Sequence, residues 1–446
     1  MANQIISKSA ESSNISRIDV ISNKDQSKSV SLVGGAVRLM YYESILQDTI
    51  RATITFTDTG NAIDNKTVLE GLPLIGQEKI YIKFSDNNSK ELNLVLYVNK
   101  INPITDDTTK SLVQLELVSK EYIMNEKVRL TERFDGKISD HIKKILTDKK
   151  YLGTEKKTDI EQTANNYNFI GTNRKPYYAM NWLSKKAIPN IPGADGNTAG
   201  YFFFETSEGF KFKSIDSMLS QEKKKSIIYN QTPDSRGESI PAGYDVKALE
   251  YSKDNRIDVQ EKLKMGAFST RIVLFDPFNC YYEVITPNAK QKEQSLKLGG
   301  KELPVLNPEF NREGKNKDFS RTTYYIIDKG TLNTGDTSQQ IDKSKTENFE
   351  PKKVLNQAIM RYNQLYSIKT TITIPGDFSL HAGDAIFIDA PELASETKEV
   401  SQQNSGLYII ADLCHYVSPK ETYTKLNLVR DSFGRIGNHT SGNIPL

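Results

Sequence analysis

Four β-like stretches near the start of the chain return in the same order near its end, and no other feature limits the possible folds as strongly. In Ile50–Phe56 apolar and polar residues alternate, which puts Ile50, Ala52, Ile54 and Phe56 on one face of a strand. Asp58-Thr59-Gly60 breaks that strand, Ile80–Phe84 resumes the period of two, Leu92–Val98 forms an apolar run, and Leu112–Val118 alternates again. Near the other end, Ile368–Ile374 stops at Pro375-Gly376-Asp377 and is followed by Ile386–Ile388, Gly406–Ile410 and Lys425–Arg430. In this alignment Ile386-Phe387-Ile388 answers Ile80-Tyr81-Ile82, and Lys425–Arg430 answers Gln114–Ser119. Chance alternation is the competing reading, and the matched order of four elements weighs against it. A true duplication makes residues about 36–122 and 366–433 two equivalent, mainly antiparallel β bodies, each a small barrel or sandwich.

The region between them has helical periods. Asp140 is placed to cap a helix carrying Ile142, Ile145 and Leu146, and Pro176 to open another through Ala179, Met180, Leu183 and Ala187. Tyr201–Phe204, the turn Ser207-Glu208-Gly209 and Phe210–Phe212 read as a β-hairpin. Val354, Ala358, Tyr362 and Leu365 share one face of a helix just before the second β unit. Three polar stretches, 311–320, 331–353 and 392–405, read as exposed loops, either plain insertions or segments that order against partners. The expected organisation is a first β domain over 1–130, a mixed α+β middle over 131–250, a connecting β region with polar loops over 251–350, a second β domain over 351–433, and a tail over 434–446.

A chain of 446 residues has room for several cores, and 22 Tyr with 18 Phe lean it toward sheet. The 59 basic and 56 acidic residues leave +3, too little for an electrostatic footprint on nucleic acid. The lysine pairs 143–144, 149–150 and 156–157 and the run 223–225 read as solvated faces. Two cysteines, Cys280 and Cys414, cannot make a disulfide framework and fit a reducing compartment. Met1 to Arg17 has no apolar stretch of the secretory kind, and no long apolar run occurs, so neither secretion nor stable membrane insertion is expected.

Catalytic patterns do not assemble. Asp58-Thr59-Gly60 has the form of an aspartic protease turn, but that chemistry needs two carboxyls sharing a proton and no second such motif follows. A polar turn accounts for the same residues. His141, His381, His415 and His439 lack ligand spacing, and Cys414 and His415 point to opposite faces if that segment is a strand. Phosphate-loop and dinucleotide fingerprints are missing, and no segment singles out a carboxylate pair for glycoside cleavage. No catalytic residue, metal or cofactor is expected.

The stretches Ile372–Asp377, His381–Asp384, Ser405–Ile410 and Leu428–Phe433 resemble the central hub proteins of contractile phage tail baseplates, which are related to the hub part of type VI secretion spike proteins. The helix around His141 to Leu146, the one from Pro176 to Ala187 with Trp182-Leu183, and Phe202–Glu205 through Gly209–Ile215 resemble them too. The long polar loops are the departures. The resemblance implies a mainly β (α+β) chain with two tail-tube-type antiparallel barrels flanking a mixed middle. It implies a non-enzymatic homotrimer in the virion baseplate, assembled in the host cytoplasm, whose six β bodies adapt a sixfold tube to a threefold cell-puncturing spike. Its implied partners are the spike protein, the tail tube or tube-initiator protein, the tape measure protein and baseplate wedge proteins, with a central channel for tape measure and DNA and no sequence-specific nucleic acid binding. The last residues, with Phe433, Arg435, Ile436 and Leu446, leave the second β unit with several chain breakers and are expected to face the spike; a merely frayed terminus is the alternative. A virion-associated cell-wall hydrolase, or another ring or spike component of a tail or secretion machine, is the competing function.

Overall fold

Alternation does what it should in the first body: in the strand Arg51–Asp58, Ala52, Ile54 and Phe56 are buried while Arg51, Thr53 and Thr57 are not. The computed structural model describes residues 10–436 except 73, 108, 191–199, 230–239, 241–242, 255–257, 269, 278, 286–296, 311–319, 331–334, 346–347, 349–350 and 392–399. The first body comprises β1 (Asn14–Ile21), β2 (Ser29–Ser31), β3 (Ala36–Ser44), β4 (Arg51–Asp58), the short helix α1 (Val68–Gly71), β5 (Lys79–Ser85), β6 (Glu91–Asp106) and β7 (Ser111–Val118). Its strands lie side by side in the order β3-β4-β7-β6-β5-β1-β2, each pair antiparallel. The apolar run from Leu92 marks only the first half of β6, which continues to Asp106 through Lys100, Asn102 and Pro103, residues that no strand pattern favours.

The middle region starts with α2 (Lys120–Lys127), β8 (Arg133–Phe134) and α3 (Ile138–Thr147), continues through β9 (Thr158–Ile160), β10 (Phe169–Ile170) and α4 (Pro176–Ser184), and reaches the hairpin β11 (Tyr201–Thr206) and β12 (Gly209–Ser214) and then α5 (Ile215–Ser220). Helix α3 buries Ile138, Ile142, Ile145 and Leu146, but Lys137 occupies its N-cap position and Asp140 lies inside the first turn, where a carboxylate favours the positive end of the helix dipole. Pro176 opens α4 as expected, and Ala187 lies beyond its end. The hairpin turn needs Gly209: its φ is 127°, and a Cβ there would sit 2.1 Å from the carbonyl oxygen of Lys157. A core of Leu130, Phe134, Ile142, Tyr167, Met180, Phe203 and Phe212, among others, holds this region together.

Three short strands that the sequence reading did not assign, two in the expected middle region and one across its boundary with the connecting region, belong to the second body. They are β13 (Lys225–Ile228), β14 (Val246–Lys247) and β15 (Glu250–Asp254). After α6 (Val259–Met265) comes a separate sheet of β16 (Thr270–Asp276), β17 (Tyr281–Ile285) and β18 (Arg321–Ile326), in the order β17-β16-β18. Then α7 (Thr337–Ser344) and α8 (Pro351–Leu365) lead into β19 (Ile368–Pro375), β20 (Ala385–Asp389), β21 (Gly406–Val417) and β22 (Thr422–Arg430).

Pairing in the second body repeats the first. The order β15-β19-β22-β21-β20-β13 matches β3-β4-β7-β6-β5-β1, with one difference at the end: β13 runs parallel to β20, whereas β1 runs antiparallel to β5. The correspondence extends to the first register shift of the long strand, beyond which β6 has a second shift, between Pro103 and Thr105, that β21 lacks. Tyr97 pairs with Val118 and Val98 with Leu117, the register shifts at Asn99, and Lys100 pairs with Glu116. Likewise Ile409 pairs with Val429 and Ile410 with Leu428, the register shifts at Ala411, and Asp412 pairs with Asn427. Both long strands thus carry a bulge at the same place. The turns 107–110 and 418–421 have the same length, but β5 and β6 are joined by the short turn 86–90 and β20 and β21 by the long connection 390–405.

The fold is mainly β, but the two barrels expected from the sequence are not separate closed bodies. Among the described residues the strands of both form one 14-stranded sheet whose path does not return on itself, and one apolar core runs through both, from Ile18 and Phe56 to Ile386 and Leu428. The reason is an edge-to-edge pairing between the bodies. Among the described residues no helix is long and apolar enough to cross a membrane.

Candidate functional site

That pairing joins β21 to β3. Asp412 to Val417 run antiparallel to Ser44 to Leu39, and Ser44 donates a hydrogen bond to the Asp412 carboxylate at 2.6 Å. A second contact clasps the bodies: the Phe378 amide donates to Asp86 Oδ2 at 2.9 Å, and Phe84 meets Phe378 edge to face at 4.9 Å. The long strand β21 serves both bodies, with β20 beside residues 406–409 and β3 beside 412–417. Its counterpart β6 has β5 beside residues 91–97, and among the described residues nothing pairs with that edge from 99 to 106.

A buried ionic cluster sits where both bodies meet the middle region. Glu43 of β3 accepts hydrogen bonds from Tyr41 Oη at 2.7 Å, the Ser207 amide at 2.8 Å and the Ala382 amide at 2.9 Å, and its Oε1 lies 3.3 Å from His381 Nδ1. Ser207 Oγ also lies 3.3 Å from Nδ1, and Nε2 faces Glu208 at 3.6 Å. Serine, histidine and glutamate together suggest a hydrolase, but a nucleophile relay needs the serine and the carboxylate on different ring nitrogens. Here Ser207 Oγ shares Nδ1 with Glu43, the carboxylate facing Nε2 is that of Glu208 at 3.6 Å, beyond hydrogen-bond distance, and His381 and Glu43 are 3% and 2% exposed, so the group is arranged as a clamp.

Burial alone would raise the Glu43 carboxyl, yet the hydrogen bond and charge of His381 bring it down to about 2. Burial would likewise lower His381, but the hydrogen bond and charge of Glu43, helped by Asp384 and Glu208, hold it above its ordinary value. A raised histidine stabilises the fold fully below the unfolded pKa of about 6.5, and that contribution is lost as pH rises through the folded value. The lowered Glu43 contributes above about 4.3 and is lost only as pH falls toward 2. The melting temperature of the wild type is therefore expected to fall more steeply above pH 6.5 than that of His381→Gln. Parallel slopes in a pH series of melts would refute the ionic clamp. His415, pushed down to about 4 by burial, stays neutral; its Nδ1 meets Thr424 Oγ1 at 2.9 Å and its ring stacks on Tyr41.

Asp58 is structural. It is 4% exposed, its Oδ2 accepts from the Val68 amide at 2.6 Å and its Oδ1 from the Gly60 amide at 3.0 Å, which fastens the loop to the start of α1. Asp58→Ala is expected to cost about 1–2 kcal/mol in chemical denaturation, as loss of a cap does, and Asp58→Asn less, since an acceptor remains. A cost near zero for the alanine variant would contradict that role.

Other singled-out residues resolve individually. His141 is buried with Nε2 2.8 Å from the Tyr167 carbonyl oxygen. Cys414 lies on the outer face of β21 while His415 points into the core. The lysine pairs 143–144 and 149–150 are exposed as expected, but the others need a correction: Lys156 Nζ is held between Glu121 at 2.8 Å and Glu205 at 2.5 Å, and Lys224 and Lys225 lie 3.4 and 3.5 Å from Asp384 and Asp377. Those acids come from distant segments, so sequence neighbours gave no sign of them. Glu43, Glu205 and Arg361 were missed for the same reason. A charged residue on the apolar face of a strand, as with Glu43 two places after Tyr41, is the one signal that could have flagged a buried pair.

The tail begins as part of the fold. Phe433 exchanges backbone hydrogen bonds with Glu302, at 2.7 and 3.1 Å, and Arg435 forks onto Asp389 with Nε and Nη2 at 3.0 and 2.8 Å. Asp389 also accepts from Tyr244 Oη at 2.5 Å, and Ile436 is 43% exposed. Leu446 lies outside the described residues.

No protein-family model matches the sequence, and no curated protein matches it either. Solved structures do. The 43 kDa tail protein of prophage MuSo2 from Shewanella oneidensis is 9% identical with a TM-score of 0.51, the match covering 94% of this chain and 100% of that one. The tail protein from Neisseria meningitidis MC58 is 10% identical with a TM-score of 0.51, covering 93% of this chain and 96% of that one. The chain thus shares its fold with these tail proteins over nearly its whole length.

Proposed function

We propose that this chain is a non-enzymatic structural subunit of a contractile tail baseplate, the hub between tail tube and spike. The observation that carries the reading is the repetition of one strand order and pairing register within the chain, including the matched bulges at Asn99 and Ala411. A chain with two equivalent bodies lets three copies present six similar surfaces to a sixfold tube. The unlike parts of the bodies, the connections 86–90 and 390–405 and the tail on the second body only, repeat three times in the same ring and suit a threefold spike. The mechanism is adaptation of symmetry around a central passage for tape measure and DNA, with wedge proteins outside. Assembly takes place in the host cytoplasm, and the product resides in the virion tail.

In this reading Phe433, Arg435, Ile436 and Leu446 face the spike, and the Arg435–Asp389 fork holds the start of the tail on the second body. Removal of 437–446 leaves that fork intact. The truncated chain is expected to keep its oligomeric size and to lose spike protein in a pull-down; full capture would take the tail out of the interface. The function itself is tested by electron micrographs of the purified protein, alone and with its spike protein. Threefold particles with a pseudo-sixfold inner ring are expected, and peptidoglycan cleavage by particles without such symmetry would overturn the reading.

A further inference from the structure

The chain contains one junction between its bodies and the two halves of another. Within the chain, Cys414, His415, Tyr416 and Val417 lie opposite Tyr42, Tyr41, Met40 and Leu39. The repeated registers map β21 onto β6 through their shared partners, so that Cys414, His415, Tyr416 and Val417 correspond to Asn102, Pro103, Thr105 and Asp106. In the same way β3 maps onto β15, and Tyr42, Tyr41, Met40 and Leu39 correspond to Asp254, Lys253, Ser252 and Tyr251. Among the described residues both of these mapped edges are unpaired: β6 beyond Val98 on the side of β5, and β15 on the side away from β19. They cannot meet within one copy, because the two bodies already join through their other edges, β3 and β21.

We infer that β15 of one copy pairs antiparallel with residues 102–106 of β6 in the next copy, in the register of the internal β3–β21 junction. Thr105 then lies opposite Ser252 of the neighbouring copy, and Asn102 opposite its Asp254. This rests on the ring reading and supplies its contact. An open edge eight residues long is a standing hazard of uncontrolled pairing, which natural proteins limit with proline, charge and bulges. Here Pro103, Lys100 and the register shifts after Val98 and Pro103 do so. The pairing is head to tail, so each copy uses both edges and repetition closes a ring. The second contact of the internal junction does not recur unchanged, because Asp86 lies on the short turn 86–90 and the matching connection of the second body is the long 390–405. Junctions within and between copies therefore alternate around the ring.

The test is a disulfide placed by register, in the full chain with Cys280→Ser and Cys414→Ser. Thr105→Cys with Ser252→Cys is expected to link copies into a closed trimer on a non-reducing gel, at least about tenfold faster than Thr105→Cys with Glu250→Cys, because only the first pair brings the Cβ atoms within bonding reach. Hydrogen exchange on the unaltered chain is the second measurement: the amides of 102–106 and 250–254 that point away from β7 and β19, Pro103 having none, are expected to be protected in the oligomer and to exchange on dilution to the monomer. A trimer by light scattering without the in-register link, with these amides still exchanging, would overturn the junction and leave the ring reading standing. A monomer at every concentration would overturn both. Protection of one edge only, by the chain's own first residues or by a different protein, would show that the edge has another occupant.

Discussion

Arg361→Leu is expected to remove about 3–5 kcal/mol, enough to unfold a domain whose whole stability is of order 5–15 kcal/mol. The side chain of Arg361 in α8 is 2% exposed, with Nη2 2.8 Å from Asp216 Oδ1 and Nη1 2.7 Å from Asp431 Oδ2. It also donates to the carbonyl oxygen of Lys297 at 2.7 Å, and Asp431 accepts in turn from the Gly299 amide at 2.9 Å. One guanidinium thus gathers α5, α8, the segment at 297–299 and the chain leaving β22. Leucine would leave two carboxylates, 3% and 0% exposed, without a counter-charge. The triad need not be a net stabiliser. Replacing all three members by apolar residues of similar volume is expected to recover most of the loss. Urea unfolding decides it: a cost below about 1 kcal/mol for Arg361→Leu would mean that the carboxylates find water or other partners.

Lys156→Met comes next, at about 2–3 kcal/mol, less because the lysine is 31% exposed while Glu205 is fully buried. Glu205 Oε2 accepts from Thr49 Oγ1 at 3.0 Å and from the Ile50 amide at 3.2 Å, so the pair fastens the β11 hairpin to the first body. In the wild type the two carboxylates hold Lys156 above its usual range against burial. Without the cation Glu205 takes up a proton on folding, its folded pKa lies above the unfolded one, and stability falls as pH rises. The variant is therefore expected to be more stable near pH 5 than near pH 8, and Glu205→Gln added to it should flatten that dependence. A variant that gains stability toward alkaline pH would refute the assignment.

The strands and the duplication were legible because a half-buried strand writes its orientation into a period of two: Ile54 and Ile372 face one core for the same reason. What remained hidden depends on pairing partners. Strand β1 does alternate, with Arg17 and Asp19 outward and Ile18 and Val20 buried, but only over a few residues; β3 is blurred by Met40 and Tyr42 on its outer face, and the far half of β6 is an edge. The ion pairs of Lys156, Arg361 and Glu43 join residues 35 to 338 positions apart, and local patterns carry no trace of such meetings. The joining of two expected barrels into one sheet is likewise a matter of which edges meet.

In the proposed ring, the bulges at Asn99 and Ala411 bend the two long strands that would carry its junctions, and a bend repeated at every step fixes how far each body is turned from the last. Closure is then a geometric sum, sensitive to one residue. Deleting Asn99 would straighten one step in two and change its tilt as well as its angle. Copies adding head to tail with such an error miss the starting point by a constant rise, and the product is an open coil that grows without limit, a filament in place of a hub.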